Sequence, residues 1–236
     1  MTEPLIDRRN ILGAATLIAA GAAAASAGAQ TPAAPAAGPA FAPQPIAKPF
    51  DPAAVPGLSA ALLNSHFDNN STSAVTRLRA IETQIAGLDP ATAPNFTMNG
   101  LKREELIAWN SMILHELYFA SLGAPTRPGA ALAQQIEKDF GSDARWRAQF
   151  SAMGKALGGG SGWVILNWSH RDKRLVNQWA ADHTMTLAGG TPVLVLDMYE
   201  HAYAIDFGSR APAYVDAFMA ANNWTAADAA FAKASA

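Results

Sequence analysis

A short apolar run that ends in a charged residue constrains this chain more than any other feature. Residues 192–196 read Pro-Val-Leu-Val-Leu, Asp197 follows directly, and His201 comes four residues later. Such a run predicts a buried strand, and a buried carboxylate is costly unless it is paired or binds a metal. Asp197 therefore needs a cation at the end of this strand, and His201 is near enough in sequence to share it.

The remaining ligands must come from a limited set of side chains. The chain has no cysteine and five histidines, so disulfides and thiolate metal sites are excluded. His66 and His115 lie in helical patterns, where a single histidine is more typical of a hydrogen-bonded core or surface position. Together with Asp197 and His201 they give three imidazoles and one carboxylate, which suits redox-capable Mn or Fe. A single anion leaves a trivalent ion short of charge, so we expect an open position for water or hydroxide and hence a catalyst.

Residues 1–55 have the composition of targeting and connecting sequence. Residues 1–29 place an Arg-Arg pair before an alanine-rich apolar stretch and a small-residue Ala-Gly-Ala site. This layout predicts an export signal of the twin-arginine type, with a lipid-free N-terminal anchor as the alternative. Residues 30–55 are rich in Pro and Ala and predict an extended linker. We expect a periplasmic or otherwise exported protein with no stable membrane anchor, and its net charge of −2 does not suggest nucleic acid.

Hydrophobic periodicity predicts an α+β fold for the rest of the chain. Residues 58–88 and 101–122 have apolar residues at helical spacing, with a loop expected over 95–100, and predict a helical hairpin domain over 56–128. Helical patterns and short β-branched or aromatic runs follow in this order: helices over 130–139 and 143–156, strands over 163–168, 175–179 and 192–197, and a helix from 211 onward. Residues 129–236 are therefore predicted to form a mixed domain with a three-stranded antiparallel sheet flanked by helices.

Several motifs occur in the order of a known family. They are His66 in the first helical pattern, His115 in His-Glu-Leu-Tyr-Phe-Ala, Trp163 in Gly-Ser-Gly-Trp, Asp197 and His201 in Asp-Met-Tyr-Glu-His-Ala-Tyr, and Arg210 in Arg-Ala-Pro. The family writes the fourth motif as Asp-Val-Trp-Glu-His-Ala-Tyr. On these motifs the chain resembles the iron/manganese superoxide dismutases, from about Pro56 to its C-terminus.

The resemblance implies a function and further site residues. It implies disproportionation of superoxide to dioxygen and hydrogen peroxide at one Fe or Mn ion per subunit, held by the three histidines and the aspartate. Trp163 would form an aromatic lid over the metal. Arg210 would steer the substrate, with a surface arginine capping a helix as the alternative. Glu200 would pair with the metal-bound histidine of a neighbouring subunit, which implies a homodimer; an ordinary solvated carboxylate is the alternative.

The sequence departs from the family pattern around the mouth of the site. A gateway tyrosine is replaced by Ala74, a second histidine by Asn70, and a tyrosine that bonds across the dimer by Ala204. The glutamine that holds the metal-bound solvent in relatives is replaced at its helix position by Ser111. At its loop position stands His183, which would hold the solvent and relay protons, or is only a loop histidine. Iron and manganese are therefore not distinguished.

Two other interpretations compete with a dismutase. The first is an exported metal-binding protein of the same fold with little or no dismutase turnover, and the second is a metal-free structural relative. The complete ligand set argues against the second. The glycine-rich run 158–162 resembles a phosphate cradle, but it precedes a predicted strand instead of a helix, so a tight turn is preferred. His170 lies in a polar turn and is not included in the site.

Overall fold

Helices form the first half of the described chain, and a small sheet lies in the second. The computed structural model describes residues 37–236, so the predicted export signal over 1–29 lies outside the described residues. Within that range the helices and strands are α1 (Ala60–His66), α2 (Thr72–Ala86), α3 (Asn95–Ala120), α4 (Ala130–Phe140), α5 (Asp143–Ala156), β1 (Trp163–Ser169), β2 (Arg174–Ala180), β3 (Gly190–Asp197), α6 (Ala204–Phe207), α7 (Ala211–Ala220) and α8 (Thr225–Ser235). None of the helices in this range is long and apolar enough to cross a membrane.

The first helical pattern forms one run with a wide turn inside it. Ser59 caps α1, because its side-chain oxygen accepts the N–H of Leu62 at 3.1 Å. A π-helical turn, Phe67–Ser71, then joins α1 to α2. Such turns insert a residue into the helix and are frequent at functional sites. Here the turn begins directly after His66.

The second helix of the hairpin begins earlier than the sequence predicts. Residues 95–100, expected to be loop, form the first turns of α3. Phe96 is 80% exposed, so the segment shows no apolar periodicity from which a helix could be predicted. Pro94 nevertheless starts the helix, because its carbonyl accepts the N–H groups of Thr97 at 2.9 Å and Met98 at 3.2 Å.

The three predicted strands form an antiparallel sheet in the order β2-β1-β3. Every residue of β1 is buried, as befits a central strand. Pairing with β3 places Trp163 opposite Asp197. The predicted α+β fold class is confirmed. At the start of α5, the Ser142 hydroxyl oxygen caps the helix by accepting the N–H of Arg145 at 3.1 Å.

Glycine positions fix how the sheet begins. Gly162, which immediately precedes β1, has φ +137°, and a Cβ there would lie 2.2 Å from the carbonyl oxygen of Ala180. Its own carbonyl accepts the N–H of Met198 at 2.9 Å. Only glycine fits this close approach, so the turn before β1 also ties down the end of β3.

The described part of the predicted linker has no strand or α-helix, forms a 3-10 turn at Pro52–Ala54 and packs on the hairpin. Phe41 stacks on Trp109 with ring centroids 4.9 Å apart. Arg79 of α2 donates to the carbonyl of Pro43 at 2.5 Å and to Gln44 at 2.7 Å. These contacts hold the segment against the outer side of the helical hairpin. The predicted boundaries at residues 29, 55 and 128 stay predictions.

Candidate metal centre

Four elements of the fold each bring one candidate ligand to a common point. His66 is the last residue of α1, and His115 lies in the last two turns of α3. Asp197 ends β3, and His201 lies in the 3-10 turn Glu200–Ala202 that follows. The structure therefore brings together the four residues that the sequence singled out, one donor atom of each lying within 4.8 Å of all the others.

The carboxylate of Asp197 is the centre of this group. Its Oδ2 lies 3.2 Å from Nε2 of His66, 3.5 Å from Nε2 of His115 and 3.2 Å from Nε2 of His201. His66, His115 and Asp197 are buried, and His201 is partly exposed. Ligands about 2.1 Å from one ion stand roughly 3–3.5 Å apart, so these separations are those of a mononuclear site.

Hydrogen bonds orient two of the four side chains. Nδ1 of His115 lies 2.6 Å from the carbonyl oxygen of Ser111, one turn earlier in α3. A bond to this carbonyl requires the proton on Nδ1, so the lone pair of Nε2 is free for a metal. Oδ1 of Asp197 accepts the N–H of Tyr199 at 2.9 Å, which leaves Oδ2 to face the histidines. Tyr214 donates to the backbone carbonyl of Asp197 at 2.8 Å.

Burial and charge set the protonation of the group. Burial lowers the pKa of His115 to about 3 and also lowers the pKa of His66. Burial alone would raise the pKa of Asp197, but the close approach of His201 and His66 to its carboxylate outweighs burial and holds that pKa well below its usual range. His66 and His115 are therefore neutral imidazoles beside an ionised Asp197, the protonation states that metal binding requires.

Unpartnered atoms test whether a metal fits this site. Nε2 of His66 and Nε2 of His115 are buried and have no hydrogen-bond partner within residues 37–236. A buried polar atom without a partner is costly, and both atoms point at the same carboxylate oxygen. Three nitrogen donors and one oxygen donor, with no sulfur, fit Fe or Mn. The residues present thus fit the metal that the sequence predicts.

Two further predicted site residues, Trp163 and His183, lie beside the four candidate ligands. Trp163 is buried, and its indole Nε1 donates to Nδ1 of His183 at 2.9 Å. The Trp163 ring meets the His115 ring edge to face, with centroids 5.2 Å apart and planes at 89°. Asn110 donates to the backbone carbonyl of His183 at 2.6 Å. His183 is therefore a fixed neighbour of the candidate ligands, and the loop that carries it is tied to α3.

A cavity of about 160 Å³ connects this group with the surface. We call it the mouth cavity, and it is lined among others by Asn70, Ala74, Arg77, Ser111, His115, His183 and His201. Asn70 and Ala74, where the sequence departs from the family pattern, thus lie at the entrance. Burial lowers the pKa of His183, and the positive charge of Arg77 acts in the same direction.

The structure places Arg210 and Glu200 away from the mouth cavity. Arg210 is exposed at the start of α7, and its Nε donates to the carbonyl of Phe207 at 3.4 Å. Glu200 is exposed and forms no ion pair with any other residue of the described range. Glu200 precedes His201 in the chain, but neither Glu200 nor Arg210 contributes a donor atom to the group of four.

Two residues at the site were not predicted from the sequence. Tyr199 lies between His183 and His201, with ring centroids 4.9 Å and 5.3 Å away and planes within 14° and 13° of parallel. Its place in Asp-Met-Tyr-Glu-His was the available signal. Arg77 lines the mouth cavity from α2, three residues after Ala74, and its helical spacing from that residue was the only sequence signal.

An α+β fold with three imidazoles and one carboxylate at its centre defines a class of mononuclear, redox-metal proteins. The C-terminal domain of the iron/manganese superoxide dismutases matches residues 128–230. A Cupriavidus metallidurans protein named superoxide dismutase (Fe) is 63% identical over 184 residues, 78% of this chain and 93% of the relative. The chain belongs to the iron/manganese superoxide dismutase family, which confirms the resemblance found in the sequence.

Among the more distant relatives, some are named as iron enzymes and others as manganese enzymes. A superoxide dismutase (Fe) of Aquifex pyrophilus is 32% identical over 75% of this chain and 86% of the relative. A superoxide dismutase (Mn) of Halobacterium salinarum is 31% identical over 72% of this chain and 84% of the relative. The matched regions cover most of each relative, so the similarity concerns whole proteins of this family.

Proposed function

We propose that this protein is a superoxide dismutase whose single Fe or Mn ion is held by His66, His115, Asp197 and His201. The convergence of the four donor atoms within 4.8 Å of one another carries this proposal. Two of the donors are buried atoms without a partner in the described chain, which supports a bound cation. When bound, the ion supplies two oxidation states, so that two superoxide ions and two protons give dioxygen and hydrogen peroxide.

His183 is the residue we assign to proton handling. Trp163 donates to its Nδ1, so a neutral His183 carries its proton on Nε2, the other ring nitrogen. Burial lowers the pKa of His183, which favours this neutral form at pH 7. Since the side chain lines the mouth cavity beside His115, its Nε2–H can donate to a small ligand there and exchange protons with solvent.

The test is activity together with metal content. Mature protein is stripped of metal, loaded in turn with iron and manganese, and assayed for loss of superoxide. We expect turnover well above that of the free ions with at least one metal. The name of the 63% identical relative supports iron as the better metal.

The second candidate is a metal-binding protein of the family with little turnover. Asn70 and Ala74 line the mouth cavity where the family pattern has a histidine and a tyrosine, and this loss favours the alternative. Stoichiometric metal without activity in either preparation would establish it. No stoichiometric metal at all would reject both candidates.

We also propose that the protein is an exported homodimer. Glu200 is exposed beside the partly exposed His201, so it is available to reach the corresponding histidine of a second copy. Light scattering on the wild type and on Glu200→Gln tests the dimer, with a shift towards monomer expected for the variant. Cell fractionation and N-terminal sequencing test export, since the signal predicted over 1–29 would then be absent from periplasmic protein.

A further inference from the structure

The lining of the mouth cavity contains one side chain with a permanent positive charge, Arg77. Among its described lining residues, Arg77 is the only lysine, arginine, aspartate or glutamate. Ala74 lies three residues earlier on the same face of α2 and extends no further than Cβ. Arg77 therefore lines the cavity from the same helix face as the small side chain of Ala74.

The charge of Arg77 is shared with a glutamate on the facing helix. Its Nη2 is ion-paired with Oε2 of Glu104 in α3. Glu104 also interacts through Oε1 with Nη1 of Arg103 at 3.2 Å. The Arg77 and Glu104 side chains are 54% and 35% exposed, and an exposed pair of this kind contributes at most about 1 kcal/mol. Arg77 can therefore exchange Glu104 for another small anion at little cost.

No other lysine or arginine of the described chain lines the mouth cavity. The chain has a net charge of −2, so a distant anion meets no overall attraction. Charges in solution are screened beyond about 8 Å at physiological salt, which makes the nearest residues decisive. Arg210, the residue predicted to steer the substrate, bonds to Phe207 and does not line the cavity.

We propose that Arg77 attracts the anionic substrate into the mouth cavity and that Glu104 limits how much of this charge is available. This inference rests on the proposed function, since that function names superoxide as the anion. Both are steering residues that act before the reaction, because neither belongs to the group of four donors. The same charges would act on any small monoanion that enters the cavity.

Azide is the probe for this test, because it is a small monoanion that can be followed by the absorption of the metal-loaded protein. We compare wild type with Arg77→Gln, Glu104→Gln and Arg103→Gln at equal metal content. Arg77→Gln should weaken azide binding about 3- to 10-fold and Glu104→Gln should strengthen it about 2- to 4-fold, as expected for one unit charge at the entrance. Arg103→Gln removes the same charge beside the same glutamate but outside the cavity lining, and should change binding less than about twofold.

The outcomes separate this inference from the proposed function. Equal azide affinities for Arg77→Gln and Arg103→Gln would overturn the role of Arg77 even if the wild type is fully active. A wild type that binds metal but lacks turnover would defeat the proposed function, while the azide series would still report on Arg77. If Arg77→Gln fails to fold, Arg77→Lys provides the test, because a steering charge predicts wild-type azide affinity within about twofold. A larger loss with lysine would show that the guanidinium shape matters, not the charge.

Discussion

The candidate metal centre and the mouth cavity are neighbours, yet they differ in how closely they follow the family pattern. At the centre, all four predicted donors are present and meet within 4.8 Å. At the mouth, Asn70, Ala74 and His183 stand where the family pattern has other residues, and all three line the cavity. By the resemblance, the centre keeps all four donors, whereas three positions of the mouth differ from the family pattern.

The difference follows from what each region must do. A donor atom must reach one point with its lone pair free, so a change of residue type removes the ligand. Under the proposed function, the mouth has to admit a small anion and deliver protons, and several side chains can do either task. Predictions on the two regions should therefore differ in kind: loss of metal for the centre, and altered rate or anion affinity for the mouth.

Substitution of the central carboxylate should have the largest effect. Asp197→Asn removes the only anion of the four donors and leaves three imidazoles around a neutral amide. We expect metal affinity to fall by on the order of a thousandfold, or about 4 kcal/mol, with dismutase activity lost in parallel. Metal analysis after dialysis measures it. Asp216→Asn, at a position whose side chain is 65% exposed, is the control; retention of metal by Asp197→Asn would exclude this residue as a ligand.

The turn that joins the two regions should be the next most sensitive. Gly162 bonds to Met198 next to Asp197 and precedes Trp163, which contacts His183. Gly162→Ala would place Cβ 2.2 Å from a backbone carbonyl at φ +137°. We expect a loss of roughly 3–5 kcal/mol in the free energy of unfolding, from backbone strain and overpacking together.

A nearby glycine provides the matched control for this loss. Gly159 has φ +82°, but a Cβ there would meet nothing within 4 Å. Gly159→Ala should therefore cost only about 1–2 kcal/mol, the strain of the left-handed conformation alone. Urea denaturation of both variants checks the ordering. Equal losses would mean that the contact with the Ala180 carbonyl relaxes freely.

The same comparison explains how much of the molecule could be predicted from sequence. The strands carry β-branched and aromatic runs, and the donor set carries residue types that only a few metals accept, so both could be predicted from the sequence. The start of α3 was not, because Phe96 is exposed and a helix set by Pro94 has no apolar period. Arg77 was missed for a related reason. A functional role for a charged residue on a helix surface can be predicted only when the positions of the facing helix and the cavity are known.

At the mouth, the largest change in rate is expected for His183. His183→Ala removes the imidazole that Trp163 holds in the cavity, while the four donors remain. We expect the rate to fall about 10- to 100-fold, typical for a group that acts on the solvent or ligand beside a metal. Steady-state assays with metal analysis measure both quantities. Loss of metal together with activity would place His183 in the donor set instead.

His170→Ala is the control for that substitution. His170 is exposed in the turn between β1 and β2, and its Nε2 lies 2.7 Å from the hydroxyl of Thr191. It lies outside the lining of the mouth cavity and should leave the rate unchanged. A comparable fall in this variant would show that histidine loss affects activity through stability, and would remove the distinction between mouth and surface.

The smallest effect is expected in the outer part of the helical hairpin, which belongs to neither region. Glu82 of α2 is buried, and this burial raises its pKa. A hydrogen bond with Glu105 and the negative charge of Glu105 act in the same direction. The folded state thus holds a proton that the unfolded state releases at lower pH. The contribution of protonated Glu82 to stability is complete below the pKa that Glu82 has in the unfolded state. It is lost as the pH rises through the pKa of Glu82 in the folded state.

Glu82→Gln imitates the protonated form and escapes this loss. The stability of the variant relative to wild type should therefore increase from acidic to neutral pH, while activity at neutral pH stays the same. Urea midpoints at pH 4.5 and 7.5 measure it, and Glu137→Gln, on an exposed part of α4, controls for the amide itself. A difference independent of pH would show that folding leaves the pKa of Glu82 unchanged. A change in azide binding or in rate would show that Glu82 in the outer hairpin affects the mouth cavity. The hairpin and the mouth cavity could then not be varied independently.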